Sequence, residues 1–352
     1  MTRRLLTGLV PLGLLALAAG LSARTPKDPP KPASKPDAQM QAVLDELAAL
    51  GPKPITFLAP EDARKQPGPA DAVKSLLKKR GKSTDPEPVG NVANQTISGP
   101  VTPIPIRVYQ PKGDGPWPIL VYYHGGGWVI ASIDTYDGSC RALCNAANCV
   151  VVSVEYRHAP EHPYPAAPED AFTAYQWVVN NAAALKGDAT RVAVGGESAG
   201  GNLAAVTAMQ ARDKGVQIPV YQLLVYPVTN TNLDTPSYRQ YAVAKPLNRD
   251  MMKWFFAHYV GNRLRGPTPY AMPLTATDFS KLPPATVLTA EIDPLRDDGK
   301  MYADKLKAAG VKVEYVNYDG VTHEFFGMGA VVDKARRAVA KAAEGLKSGF
   351  KK

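Results

Sequence analysis

At 352 residues the chain is long for one domain and short for two ordinary ones, and its 45% apolar and 21% charged residues exclude a disordered or membrane-embedded protein. A formal net charge of +9 invites a nucleic-acid partner, but the basic excess lies over residues 1–82 and 333–352 while 83–332 is faintly acidic. That distribution excludes a basic binding face on the body of the protein, so no nucleic acid is expected as a partner.

In chain order, residues 1–23 set a basic tip, "MTRR", before the apolar run "LLTGLVPLGLLALAAGLSA". This is the layout of a secretory signal peptide, with cleavage expected near Ala18 or Ala23. An uncleaved anchor is the alternative; Pro11 and the shortness of the run speak against it. No cysteine follows the run to accept a lipid. The expectation is an exported protein, periplasmic or secreted, with no stable membrane insertion after cleavage. Residues 24–36, "RTPKDPPKPASKP", have little to bury and read as a Pro/Lys-rich linker.

A helical repeat begins near Asp37, with Met40, Val43, Leu44, Leu47 and Leu50 on one face and Gly51-Pro52 as its stop. A second short helix is expected around 70–79. From about residue 102, β-branched apolar runs alternate with helical stretches. The runs are "PIRVYQ", "PILVYYH", "CVVVSVEY", "RVAVGG", "VYQLLVYP", "PATVLTAE" and "KVEYVNY"; the helices fall around 137–147, 166–181, 198–213, 297–309 and 330–347. Runs apolar on both faces and joined by helices imply a mostly parallel sheet covered on each side. The aromatic insertion 231–280 and the segment 37–85 are expected to form cap elements over the carboxyl edge of that sheet. Cys140, Cys144 and Cys149 lack the spacing of a zinc site; one disulfide among them and a set of small buried core residues are both open readings.

In "RVAVGGESAGGNLAA", Ser198 stands between Gly196 and Gly200 where a strand gives way to a helix. A Gly-x-Ser-x-Gly there is a nucleophile elbow, a turn strained enough to hold the hydroxyl above the strand ends, and glycine avoids collision across it. The following helix N-terminus favours negative charge nearby. A serine hydroxyl is a weak nucleophile and needs a base oriented by an acid, in the order Ser, acid, His in this kind of fold. His258 sits in the aromatic stretch "MMKWFFAHYV" and reads as packing, whereas His323 follows a strand in "DGVTHEFFG" and is the expected base. The preceding strand ends into "IDPLRDDG"; Asp293 is the expected acid and Asp297 the runner-up. Oxyanion donors are expected from the backbone of Gly126, Gly127 and Ala199, with His124 organising the glycine loop "VYYHGGGWV". Trp128, Trp254, Phe255 and Phe256 are core or pocket lining.

Five ordered motifs, "HGGGWV", "EYRHAPEHPYPAAPEDA", "GGESAGGNLAA", "AEIDPLRDDG" and "YDGVTHEFFG", lie between residues 124 and 327, and the likeness they carry covers roughly residues 37–345. Together they resemble the hormone-sensitive-lipase-like (bacterial family IV) carboxylesterases of the α/β-hydrolase superfamily. The resemblance implies an α/β fold with a helical cap over residues 37–352, and the same Ser198, Asp293, His323, Gly126, Gly127 and Ala199. It also implies hydrolysis of short- to medium-chain esters without metal or cofactor, a small-molecule ester as partner, and room for a homodimer through a sheet edge. Three features depart from the family pattern: Glu197 stands where aspartate is usual, His158 where leucine is usual, and an export signal is uncommon. The alternatives are an amidase or peptidase using the same triad, and a non-catalytic binding protein; a full triad argues against the latter.

Overall fold

The computed structural model describes residues 1–2, 34–261 and 268–351. The expected leader, beyond its first two residues, and most of the Pro/Lys-rich linker lie outside the described residues. No described helix is long and apolar enough to cross a membrane.

In chain order the elements are α1 (Ala38–Ala49), α2 (Pro60–Ala63), α3 (Pro69–Lys79), β1 (Asn91–Ile97), β2 (Ile104–Gln110), β3 (Trp117–Tyr123), α4 (Asp137–Ala147) and β4 (Val150–Val154). They continue with α5 (Ala166–Asn181), β5 (Gly187–Glu197), α6 (Ala199–Asp213), β6 (Gln222–Val225), α7 (Pro236–Gln240) and α8 (Arg249–Tyr259). The chain ends with β7 (Ala285–Ile292), α9 (Arg296–Ala308), β8 (Val313–Thr322) and α10 (Asp333–Gly349). Local chemistry sets several starts: the Asp37 carboxylate accepts from the Met40 N–H at 2.9 Å, and the Asn248 side chain accepts from the Met251 N–H at 2.9 Å.

The strands form one eight-stranded sheet in the order β1-β2-β4-β3-β5-β6-β7-β8. From β4 to β8 every pairing is parallel; β1–β2 and β2–β4 are antiparallel. All seven expected strands are present, and β1 is an eighth that the sequence does not announce. Its residues, "NVANQTI", are mostly exposed and show no apolar run; they form a strand because β2 supplies a template from Ile104 to Gln110.

The double-faced apolar runs have the cause expected of them. Along β3, Ile119, Val121 and Tyr123 enter one core with α5 and α6, while Leu120 and Tyr122 enter a second with α4 and α10. Each fully buried valine or leucine of these strands contributes about 1.5–3 kcal/mol of transfer free energy. All three cysteines are free and buried in the second core, so the core reading holds rather than the disulfide.

The segment 37–85 divides between the cores. Met40 and Val43 of α1 and Leu76 and Leu77 of α3 join the second, beside Phe325 and Phe326. Ile55 and Ala63 join the first, with Trp128, Phe255 and Phe256. Arg64, just after α2, donates from Nε to the Val129 carbonyl at 2.8 Å and from Nη2 to the Ala159 carbonyl at 3.0 Å, and pairs with Glu161. Parallel pairing brings the carboxyl ends of β3, β5, β7 and β8 to one edge of the sheet. His124–Gly127, Ser198, Asp293 and His323 follow those four ends.

Candidate active site

Ser198 is the single residue between β5 and α6, with φ +57° and ψ −117°. For a residue with a Cβ this backbone is strained, and it is held by its surroundings: the Ser198 N–H donates to the Val225 carbonyl at 2.9 Å and its carbonyl accepts from Asn202 at 3.0 Å. The glycines show why the crowding is needed. A Cβ on Gly196 would stand 2.5 Å from the Gly200 backbone and 2.4 Å from the Tyr123 carbonyl oxygen. On Gly200 it would stand 1.9 Å from that same oxygen. Collision across the turn is therefore half of the reason; the end of β3, pressed against the elbow, is the other half.

His323, the first residue after β8, places Nε2 3.0 Å from Ser198 Oγ and Nδ1 2.6 Å from Asp293 Oδ2. The other Asp293 oxygen accepts from the Leu295 N–H at 2.8 Å, which fixes the carboxylate in its turn. All three side chains are buried. The structure thus brings together the three residues singled out from the sequence. Asp297, the runner-up, lies elsewhere: it accepts from the Ser237 N–H at 2.8 Å and contacts Arg296. His258 packs against Trp254 on α8, in keeping with a packing role.

The glycine loop adopts conformations that need glycine. Gly126 has φ +96° and Gly127 φ +59°, and a Cβ on Gly127 would meet the Phe255 ring at 2.2 Å. Phe255 of α8 therefore lies directly on the loop. Among the described residues, the N–H groups of Gly126, Gly127 and Ala199 have no hydrogen-bond acceptor. Trp128 is fully buried and stacked on Tyr259 with ring centroids 4.0 Å apart, a core residue. His124 is buried against Tyr156, which donates to the His124 carbonyl at 2.8 Å. This is the loop-organising position expected of it.

Electrostatics around His323 come from Asp293 and from residues outside the triad. Burial works against its protonation, but the charge and hydrogen bond of Asp293, with Glu324 and Glu197 behind them, raise its pKa above the ordinary histidine value. Glu324 Oε1 lies 3.8 Å from His323 Nε2 and accepts from the Tyr136 hydroxyl at 2.8 Å. Glu197, fully buried beside the nucleophile, accepts from the hydroxyls of Tyr122 and Tyr226. Burial, then the charge of Glu324, pushes the Glu197 carboxyl up to about 7. The Tyr226 ring packs on His323 with centroids 4.5 Å apart. Among these only Glu197 and Glu324 carried a sequence signal, through adjacency to Ser198 and His323. The tyrosines come from β3, from the residue before α4 and from the turn after β6, and no spacing rule links them.

Comparison with known proteins agrees with this geometry. A family model described as "alpha/beta hydrolase fold" matches residues 120–327. Carboxylesterase NlhH of Mycobacterium tuberculosis is 43% identical over 303 residues, covering 84% of this chain and 92% of that protein. Ethyl acetate hydrolase of Pseudomonas putida is 35% identical over 297 residues, covering 83% and 91%. The solved esterase of Pyrobaculum calidifontis superimposes with a TM-score of 0.78 at 42% identity, over 86% of this chain and 97% of that one. With the elbow, the glycine loop and the fold agreeing, the chain belongs to the hormone-sensitive-lipase-like family of α/β-hydrolases.

Proposed function

We propose that the protein is a serine carboxylic ester hydrolase acting on short- to medium-chain acyl esters through an acyl-enzyme. The observation that carries this reading is the unbroken chain from Ser198 Oγ to His323 Nε2 at 3.0 Å and from His323 Nδ1 to Asp293 at 2.6 Å. As Oγ attacks the ester carbonyl carbon, Nε2 takes its proton. Asp293 holds the ring in the required tautomer and stabilises the imidazolium. The carbonyl oxygen becomes an oxyanion facing the N–H groups of Gly126, Gly127 and Ala199. Such donors act in a site that excludes water, and each contributes about 3–4 kcal/mol to transition-state stabilisation.

Collapse of that intermediate breaks the bond to the alcohol, which leaves with the proton from His323. Water then gives a proton to Nε2 as it attacks the acyl carbon. The second intermediate expels Ser198 Oγ, which regains the proton, and the carboxylic acid departs. The ethyl acetate hydrolase and carboxylesterase names of the relatives support a short acyl group.

The test is a ladder of nitrophenyl esters from acetate to palmitate with the wild type and Ser198→Ala. Rates should be highest on the short and medium esters and fall by about 10⁴-fold or more in the variant. A maximum on palmitate, or activity that survives loss of the hydroxyl, overturns the reading. Export remains part of the proposal, supported by the basic tip and apolar run of residues 1–23; mass spectrometry of protein recovered outside the cytoplasm should find a new N-terminus near residue 19 or 24. Pairing of two copies would use the outer edge of β8, an end strand of the sheet, and light scattering should then report twice the monomer mass.

A further inference from the structure

Behind the oxyanion loop three electron-pair donors converge on residues that the Ser198–His323–Asp293 chain does not use. His124 is fully buried at the end of β3; Glu155 and His158 follow β4. His124 Nε2 lies 3.6 Å from Glu155 Oε1, and His158 Nε2 lies 3.5 Å from the same oxygen. One donor atom from each of the three residues lies within 4.8 Å of the other two. Both ring nitrogens are shielded from solvent, yet among the described residues neither has a hydrogen-bond partner. A buried ring nitrogen without a partner is costly, and two of them facing one carboxylate oxygen call for a cation between them.

Neighbouring hydrogen bonds orient two of the three donors. His124 Nδ1 donates to the Gly125 carbonyl at 2.7 Å, which turns Nε2 toward Glu155. The Ile133 N–H donates to Glu155 Oε2 at 2.8 Å, which orients the carboxylate and leaves Oε1 for the two imidazoles.

Spacing points the same way. Nitrogen and oxygen ligands at about 2.0–2.2 Å around a tetrahedral zinc ion stand about 3.3–3.5 Å apart, close to the two measured gaps. The side chains of Glu155 and His158 are 24% and 16% exposed, which gives an ion a way in and leaves a coordination position for water. His158, the less buried ring, is the one with room to swing through the remaining distance. The cation adjoining the cluster, Arg64, is paired with Glu161.

We propose that His124, Glu155 and His158 bind one divalent ion of the zinc class, which ties the entry of the oxyanion loop to the chain leaving β4. The inference does not rest on the ester-hydrolase reading, and the ion takes no part in the acyl-transfer steps. It is a structural staple at the root of the loop that carries Gly126 and Gly127.

The experiment titrates the chelator-stripped full chain with zinc and with cobalt(II), followed by calorimetry and visible absorption. One equivalent should bind, cobalt should give the intense visible bands of a four- or five-coordinate site, and zinc should raise the apparent unfolding temperature by about 2–4 °C or more. His158→Leu should weaken binding by about 10–100-fold or more and abolish the bands. Glu155→Gln keeps an acceptor for the Ile133 N–H and should weaken binding likewise; it decides the matter if His158→Leu does not fold. No binding in the wild type, or equal affinity in the wild type and both variants as a site at His323 would give, overturns the proposal.

Discussion

At His323, burial and charge pull in opposite directions, and charge wins: the Asp293 carboxylate, with Glu324 and Glu197, holds the imidazolium against desolvation. The raised pKa has two consequences of opposite sense. Catalysis needs the neutral ring, so the acid limb of kcat/KM on a nitrophenyl ester should have its midpoint above the reference value of 6.5, and Glu324→Gln should move it down. A wild-type limb at or below that value contradicts the electrostatic account. Stability runs the other way: the contribution of this histidine is complete below its unfolded pKa and is lost as pH rises through the folded one. Glu197 behaves differently. Its folded pKa of about 7 lies above the reference 4.5, so the fold prefers the protonated acid and loses stability as pH climbs between those values. Urea midpoints at pH 5 and pH 8 should therefore show Glu197→Gln gaining on the wild type at the higher pH; equal differences at both would mean that the carboxyl ionises freely. Ser198, Asp293 and His323 were legible because each carries its chemistry beside a strand end. Tyr122 and Tyr226 were not, since a tyrosine in an apolar run looks the same whether its hydroxyl meets a carboxylate or nothing, and Tyr136, in the polar stretch "DTYDG", gives no sign of its partner either.

Among the elements, the elbow and the glycine loop show how backbone contacts set side-chain rules. Gly200→Ala would drive a Cβ to within 1.9 Å of the Tyr123 carbonyl oxygen, and no side-chain rotation relieves a clash with backbone. Its cost should reach about 3 kcal/mol or more in denaturant unfolding. Gly138→Ala, inside α4 with nothing within 4 Å of the new methyl, should instead stabilise by about 0.5–1 kcal/mol. Gly127→Ala meets a side chain rather than backbone, the Phe255 ring at 2.2 Å. It should lower kcat by about 10²-fold or more as the donor moves off its target. Adding Phe255→Leu should restore part of that loss. If the double variant is no better than the single one, the backbone strain at φ +59° rather than the ring is the obstacle. Strands β2 to β8 were readable from their apolar runs. The edge strand β1 was not, because its ordering comes from the ladder it makes with β2 rather than from burial of its own side chains.

Across the whole molecule, the sheet delivers the reacting groups and the N-terminal segment braces the loop that faces them. Arg64 links the chain after α2 to Val129 and Ala159 through two carbonyls, on either side of the backbone bond from the Ala159 N–H to the Trp128 carbonyl. The exposed ion pair with Glu161 adds little by itself, about 0–1 kcal/mol. The two part-buried carbonyls left without their donor matter more, and Arg64→Ala should cost about 1–3 kcal/mol in all. It should also lower kcat/KM, read on a short ester, because Val129 and the oxyanion glycines share one turn: the Val129 N–H donates to the Gly126 carbonyl at 3.1 Å. Unchanged activity would mean that the loop is held by its own contacts alone. The amino-acid order settled the alternation of strands and helices, the elbow and the choice of triad, because these depend on local periodicity and on steric needs a few residues wide. The brace from Arg64, the tyrosines around Glu197 and the meeting of His124 with Glu155 and His158 were decided only by the folded chain. Each joins segments whose separation along the sequence says nothing about distance until the sheet has fixed which strand ends are neighbours.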